Sequence, residues 1–371
     1  MIKEGVKLSY PDIAIIPAIQ SGVEHRSEDC NPYDSEGNLP IFTAPMSTVV
    51  NEDNFELFEE NHIIPILPRN FPLEKRYDYL KKGKWSTVSL DEFENLFVNN
   101  DWDLKSYPVK VLIDMANGHM RRLCEVIHDA KEKYHWSKNL KIMAGNIANS
   151  MTYYELAKSG CDAVRLSIGT GEGCLTWTKL GVGYPIASLI DETYKIKKQL
   201  LYLGENTPLI IADGGIRDTC DVMKALALGA DYVMIGGLLS KLVESAAPTF
   251  YKKGDTDCYI NPNNITLVDD AKFGKFLIKD KDIFVDRIYK TFYGMASKRG
   301  QEDVYGNKRK TSEGTEKTFE VTETISKWCK NITEFLQSNM SYVNAFKLSD
   351  INPEKVDCCI VSQSTQGRIN K

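Results

Sequence analysis

Histidine is scarce in this chain, with five among 371 residues, which argues against a histidine-built metal centre. Nine cysteines are present, an odd number, and they do not recur at metal-ligand spacings. The reading is a reduced protein with mostly inert thiols, among them Cys124, Cys161 and Cys220, and a vicinal pair at Cys358-Cys359. No run approaches the ~20 apolar residues that span a bilayer. Met1-Ile2-Lys3-Glu4-Gly5 is too polar for a secretion signal, so a cytoplasmic location is expected. Basic residues are not in excess: 46 Lys and Arg stand against 51 Asp and Glu, a net charge of −5. That balance argues against a general nucleic-acid or membrane-surface binder, although a local basic patch is compatible with it. What is present is ordinary for a globular protein, 42% hydrophobic and 26% charged residues. The length suits one large barrel or two ordinary domains.

Short apolar runs recur along the chain at 41–46, 63–68, 86–90, 109–115, 140–146, 163–169, 208–214 and 232–237. Their near-continuous apolar character predicts strands buried on both faces. Amphipathic segments separate most of them, for example 53–60, 118–134, 151–159 and 218–228. Strands alternating with helices indicate a parallel sheet, and eight of them close a (β/α)₈ TIM barrel. A doubly wound open sheet is the alternative. Two long connections interrupt the rhythm, 170–207 and roughly 253–318, and both follow strand ends where barrels build active sites. A late helix is expected over 322–340, while 360–371 gives no clear signal, and neither an interdomain linker nor a repeat beyond the βα unit is evident.

The densest chemical signal is Gly169-Thr-Gly171-Glu-Gly-Cys174-Leu-Thr176, followed by Gly181-Val-Gly183-Tyr184-Pro185. A cysteine after alternating glycines sits where backbone can approach a ligand, and loop amides favour a thiolate. A lone cysteine in such a loop is more often only a small residue in a tight turn. Here the whole stretch resembles the catalytic loop of the IMP dehydrogenase and GMP reductase family. Further matches follow in order: Ala44-Pro45-Met46, Asp114-Met-Ala-Asn117-Gly118, Met143-Ala-Gly145-Asn146, Ala212-Asp213-Gly214-Gly215, Met234-Ile-Gly236-Gly237, Tyr293-Gly294-Met295, Ser312-Glu313-Gly314 and Tyr342-Val343. The resemblance spans about residues 7 to 348.

The resemblance implies that Cys174 attacks C2 of a purine nucleotide, which splits one hard substitution into two easier steps. Hydride would pass between that carbon and a nicotinamide, NADPH or NADH. Thr176 and Glu313 match the proton-transfer pair. Asp213 matches the acceptor of ribose hydroxyls. Gly214, Gly215, Gly236 and Gly237 match the phosphate cradle, with the Tyr293 hydroxyl as a further donor. Met46, Gly294, Met295 and Ala296 would line the base. Asp114, Asn117 and Asn146 would lie near the nicotinamide or the reacting centre, and Tyr342 belongs to a C-terminal segment that reaches a neighbour's cofactor site in a homotetramer. The carbonyls of Gly169, Gly171 and Cys174 match a monovalent-cation site suited to K⁺. A single catalytic domain over 1–371 is implied, with no inserted regulatory domain and a mobile flap at about 298–318.

Three positions depart from the family pattern. Glu172 stands where a phosphate-binding Ser is usual; Arg165, Lys179 or a loop lysine are candidate counter-charges. Ile66-Leu67-Pro68-Arg69 replaces Ile-His-Lys-His, with Arg69 one place beyond the family's Lys. Ser47 replaces an Asp. The flap lacks the Arg-Tyr pair with which dehydrogenases activate water, and Gly-Val-Gly-Tyr-Pro and Ser-Glu-Gly resemble the reductase. The expected reaction is therefore reductive deamination of GMP to IMP and ammonia with NADPH. The alternatives are NAD-dependent oxidation of IMP to XMP, a purine-nucleotide-binding relative without turnover, and a flavin-dependent barrel oxidoreductase, which would not need the Cys174-Thr176 loop.

Overall fold

The computed structural model describes residues 5–104, 107–171, 173–268, 275–306, 311–312 and 314–362. Glu172 and Glu313 lie outside the described residues. Seven of the eight apolar runs form one parallel sheet, in the order Ile41–Thr43, Tyr232–Ile235, Leu209–Asp213, Ala163–Leu166, Leu140–Ile147, Val109–Asp114, Trp85–Val88. Each strand but the outermost pairs with its sequence neighbours, and Ile41–Thr43 pairs with Tyr232–Ile235, so the sheet curls until its first and last strands approach.

The remaining run, 63–68, lies between those two outer strands without forming a regular strand. Ile64 exchanges backbone hydrogen bonds with the Ile41–Thr43 strand, both at 3.0 Å, and Leu67 does the same with Trp85 and Thr87, also at 3.0 Å. Pro65 and Pro68 explain the reduction to single bridges, because neither has an N–H to continue a ladder. Between them the Ile66 N–H turns to the Thr43 hydroxyl at 3.0 Å. Inside the curl, Phe42, Ile66, Leu112, Met143, Ala163, Ile211 and Met234 form one buried cluster drawn from seven different segments. The larger core lies between the sheet and its outer helices.

The four amphipathic segments become the helices Phe55–Glu60, Arg121–Lys133, Ser150–Lys158 and Thr219–Ala227, and the late helix is Ile325–Tyr342. Both long connections carry structure, contrary to their reading as loops. The first contains Thr176–Leu180 and the 17-residue helix Ile186–Tyr202, which starts after Pro185, a residue suited to helix entry, and buries Ile186, Leu189, Ile190 and Leu200. The second builds two small antiparallel sheets. One orders Thr256–Ile260, Thr249–Lys253, Tyr289–Tyr293 and Glu316–Glu320; the other orders Ile265–Leu267, Phe276–Ile278 and Ile283–Val285. Their shared core includes Tyr251, Ile260, Phe276 and Ile278. Near the chain ends, Ile13–Ile15 pairs antiparallel with Cys358–Ile360. No helix among the described residues is long and apolar enough to cross a membrane.

Candidate active site

The loops that leave the C-terminal ends of the parallel strands converge on a cavity of about 200 Å³. Gly171, Gly173 and Cys174 form one wall, from the loop after Ala163–Leu166; Asp213, Gly214 and Gly215 form another, at the end of Leu209–Asp213. Gly236 and Gly237, after Tyr232–Ile235, close the base, while Met46 and the turn Gly294-Met295-Ala296 line the remaining side. Eleven of the residues singled out from sequence thus meet in one place, across chain separations of up to 250 positions. Met234, which opens the Gly236-Gly237 match, also lines it, as do Phe292 and Ile216, which carried no distinguishing sequence signal.

The cysteine loop is shaped locally. The Cys174 N–H donates to the Gly171 carbonyl at 3.0 Å, turning the chain so that the thiol lies over the first turn of Thr176–Leu180. The Cys174 Sγ–H donates to Thr176 Oγ1 at 3.3 Å. Gly181 ends that helix in the left-handed conformation, φ +68°, the usual glycine C-cap. Gly183 then passes so close that a Cβ would lie 2.9 Å from the Ile168 carbonyl. Gly314 bridges Cys174 antiparallel, and the Thr315 N–H donates to the Gly173 carbonyl at 3.0 Å. The segment immediately after Glu313 therefore lies against the cysteine loop.

Beneath the cavity sits a charge network centred on Arg165. Its Nη1 donates to Asp114 Oδ1 at 2.6 Å and its Nη2 to Asp213 Oδ2 at 2.8 Å. Asn146 Nδ2 donates to the same Asp213 oxygen at 2.7 Å. Burial alone would lower the Arg165 pKa; the carboxylates of Asp213 and Asp114 outweigh it and raise it. Both ends of the guanidinium are thus committed, so Arg165 is not the free counter-charge considered for Glu172, and Lys179 is exposed on the Thr176–Leu180 helix. The Nε–H of Arg165 is buried without a partner among the described residues. Asp213 lines the cavity with one oxygen taken by this network. Arg69 Nη1 donates to the Asp114 carbonyl at 3.3 Å, placing that arginine at the same strand end. Arg165 is the residue whose importance sequence reading missed: strand residues carry no local sign that two carboxylates will meet them.

The other expected residues fall around this centre. Asn117 is exposed, and its side chain accepts the His119 N–H at 3.1 Å in a turn beside the Asn146 backbone, which accepts from the Gly118 N–H at 2.8 Å. Tyr293 alternates with cavity-lining Phe292 along its strand, so its side chain faces away from the cavity. Its hydroxyl donates to Asp303 Oδ2 at 3.0 Å. Burial first, then the Asp303 charge, raises the Tyr293 pKa. Ser47, at a departure from the family pattern, donates to the same carboxylate oxygen at 3.4 Å. Tyr342 is exposed at the end of Ile325–Tyr342 and does not line the cavity; its carbonyl accepts the Ala18 N–H at 2.9 Å. Gly169 has φ +87° and presses on Trp177, where a Cβ would approach to 2.9 Å. Among the described residues, no group of three or more His, Cys, Asp or Glu side chains is arranged to hold a metal ion.

Residues 7–259 match the family model described as the IMP dehydrogenase / GMP reductase domain. The GMP reductase of Bacillus subtilis (strain 168) is 29% identical over 366 residues, covering 96% of each chain. A GMP reductase of Lactobacillus delbrueckii subsp. bulgaricus is 27% identical over 370 residues, 96% of this chain and 95% of that protein. The GMP reductase of Pediococcus pentosaceus is 32% identical over 258 residues, 66% of this chain and 74% of its own. With the family model matching well over half of its length, the chain belongs to the IMP dehydrogenase / GMP reductase domain family.

Proposed function

We propose that the protein is a GMP reductase, converting GMP to IMP and ammonia at the expense of NADPH through a covalent adduct on Cys174. Family membership makes it a purine-nucleotide oxidoreductase, and its relatives of nearly equal length are named GMP reductase. The observation that carries the finer reading is the Cys174–Thr176 contact at the lip of a cavity walled by glycines and Asp213.

The thiolate of Cys174 attacks purine C2, and the exocyclic amine leaves as ammonia with a proton passed through the Thr176 hydroxyl. Glu313 is the proposed source of that proton, since a hydroxyl alone is too weak an acid at neutral pH. A bound nicotinamide would supply the hydride that purine C2 needs, and Cys174 leaves that carbon as its thiolate to release IMP. The balance is GMP, NADPH and two protons giving IMP, NADP⁺ and ammonium. Asp213 accepts from the ribose hydroxyls, with its second oxygen fixed by Arg165 and Asn146. Gly214, Gly215, Gly236 and Gly237 present backbone without side chains to the phosphate. Met46, Gly294, Met295 and Ala296 enclose the base. Asn117, Asn146 and Asp114 offer the mixed donors and acceptors that suit a carboxamide. The carbonyls of Gly169, Gly171 and Cys174 are the proposed K⁺ ligands. Gly171 already accepts from the Cys174 N–H, which leaves its second lone pair for the cation.

The curled seven-stranded sheet, with 63–67 hydrogen-bonded to both of its edges, supports a closed (β/α)₈ barrel as a single domain, with 298–318 as its flap. The exposure of Tyr342 is compatible with the proposed homotetramer, which light scattering tests directly. The test of function is nicotinamide absorbance with GMP and NADPH, repeated with NADH and with choline replacing K⁺, alongside ammonia release. Loss of NADPH absorbance matched by ammonia supports the reductase. Absence of both, with XMP formed from IMP and NAD⁺, moves the assignment to the dehydrogenase.

A further inference from the structure

Residues on either side of the helix Lys298–Tyr305 line the cavity wall. Gly294, Met295 and Ala296 do so before it, and Gly314 after it. The two sides are pressed together. A Cβ on Gly300 would sit 2.3 Å from the Gly294 carbonyl, and one on Gly314 would sit 2.7 Å from the Ser297 nitrogen. Ser297 caps the helix by accepting the Gly300 N–H at 3.0 Å, and the Ser312 hydroxyl donates to the Ala296 carbonyl at 3.2 Å. The helix start at Ser297 is thus in contact with both lips of the cavity, next to the Gly314 bridge to Cys174.

What holds the helix is polar. Its sequence, Lys-Arg-Gly-Gln-Glu-Asp-Val-Tyr, has no broad apolar face to bury. Asp303, exposed on the last turn, accepts from the hydroxyls of Tyr293 and Ser47. One turn earlier Arg299 lays its guanidinium over the Tyr293 ring, 5.0 Å from the centroid. Tyr293 is itself buried and anchored, its carbonyl accepting from the Thr48 hydroxyl at 3.2 Å. A few polar contacts at a solvent edge are weak enough to open and specific enough to define one closed position.

We propose that Asp303 is a positioning residue, a latch that engages Tyr293 and Ser47 and so holds Lys298–Tyr305, Met295, Ala296 and Gly314 against the Cys174 loop. The inference deepens the reading of Cys174 as the nucleophile and rests on it for its place in the reaction. When the latch is released the helix lifts, the Gly314 bridge opens and the thiol becomes more accessible.

The test is peptide-resolved alkylation by iodoacetamide of the full chain without nucleotide, comparing the parent with Asp303→Ala. The latch predicts labelling of Cys174 at least about fivefold faster, because one typical hydrogen bond already shifts the population that far and Asp303→Ala removes the bonds from both Tyr293 and Ser47. Labelling of the exposed thiols Cys220 and Cys359 should not change. Tyr293→Phe should raise the Cys174 rate similarly, the double variant should add little more, and Asp303→Glu should restore much of the protection. An unchanged Cys174 rate in Asp303→Ala, or an equal rise at Cys220 and Cys359, overturns the latch. Faster labelling of Cys174 alone, in a protein that does not turn over GMP, upholds the latch and refutes the GMP reductase reading instead.

Discussion

Replacing Arg165 by Met removes the group that holds the two carboxylates beneath the cavity. The guanidinium pairs with Asp114 at 2.6 Å and Asp213 at 2.8 Å, and the three side chains are 7%, 10% and 15% exposed. Methionine fills much of the volume, so the change isolates the charge. Deleting one partner of a buried pair costs about 3–5 kcal/mol, because the other charge stays desolvated and unpaired. Two carboxylates are stranded here, yet one can escape by taking up a proton, so the loss should remain near that range rather than double it. With a urea slope of about 1–3 kcal/mol per molar, the midpoint should fall by roughly 1–5 M. Arg165→Lys keeps the charge but reaches one carboxylate, and should lose about half as much. Urea unfolding followed by circular dichroism measures both losses. A midpoint for Arg165→Met equal to the parent's would refute the reasoning.

The pair Arg76–Glu92 gives the parent its own acid sensitivity. Burial alone would raise the Glu92 pKa, but hydrogen bonds from Arg76 and the Ser89 N–H outweigh it and hold it at about 2 against an ordinary 4.5. The depression corresponds to about 3 kcal/mol, present above pH ~4.5 and lost as pH falls toward 2, so acid titration of the urea midpoint should be flatter in Glu92→Gln. Gly145→Ala should destabilise by about 1–3 kcal/mol, the usual cost of overpacking, because φ is +149° and a Cβ would lie 2.6 Å from the Arg165 carbonyl oxygen. A thermal midpoint equal to the parent's would contradict that contact.

The parallel strands were legible because burial on both faces demands unbroken apolar runs, as in Val109–Asp114 and Leu140–Ile147. Pro65 and Pro68 were in plain view, but their consequence, a run reduced to two bridges, depends on which neighbours need its N–H groups. The helix Ile186–Tyr202 was hidden by the stretch Lys195-Ile196-Lys197-Lys198, whose three charges interrupt its apolar pattern. The small sheets after residue 249 were hidden for a related reason. Strands such as Thr256–Ile260 expose most of their residues and read as polar loop. Among site residues, the Cys174-Thr176 loop and the paired glycines are local in sequence and could be read directly. Arg165 with Asp114 and Asp213, and Asp303 with Tyr293 and Ser47, exist only after folding, because strand order and helix docking decide which charges meet.

The central claim, that Cys174 is the nucleophile for deamination of GMP, is tested most directly by Cys174→Ala. Ammonia and IMP formed from GMP with NADPH are quantified in parent and variant, with circular dichroism and GMP affinity as controls for the fold and the site. The account predicts equimolar ammonia and IMP in the parent. The variant should fold and bind nucleotide, with turnover lower by several orders of magnitude. Turnover near the parent's rate in Cys174→Ala would contradict covalent catalysis at this residue.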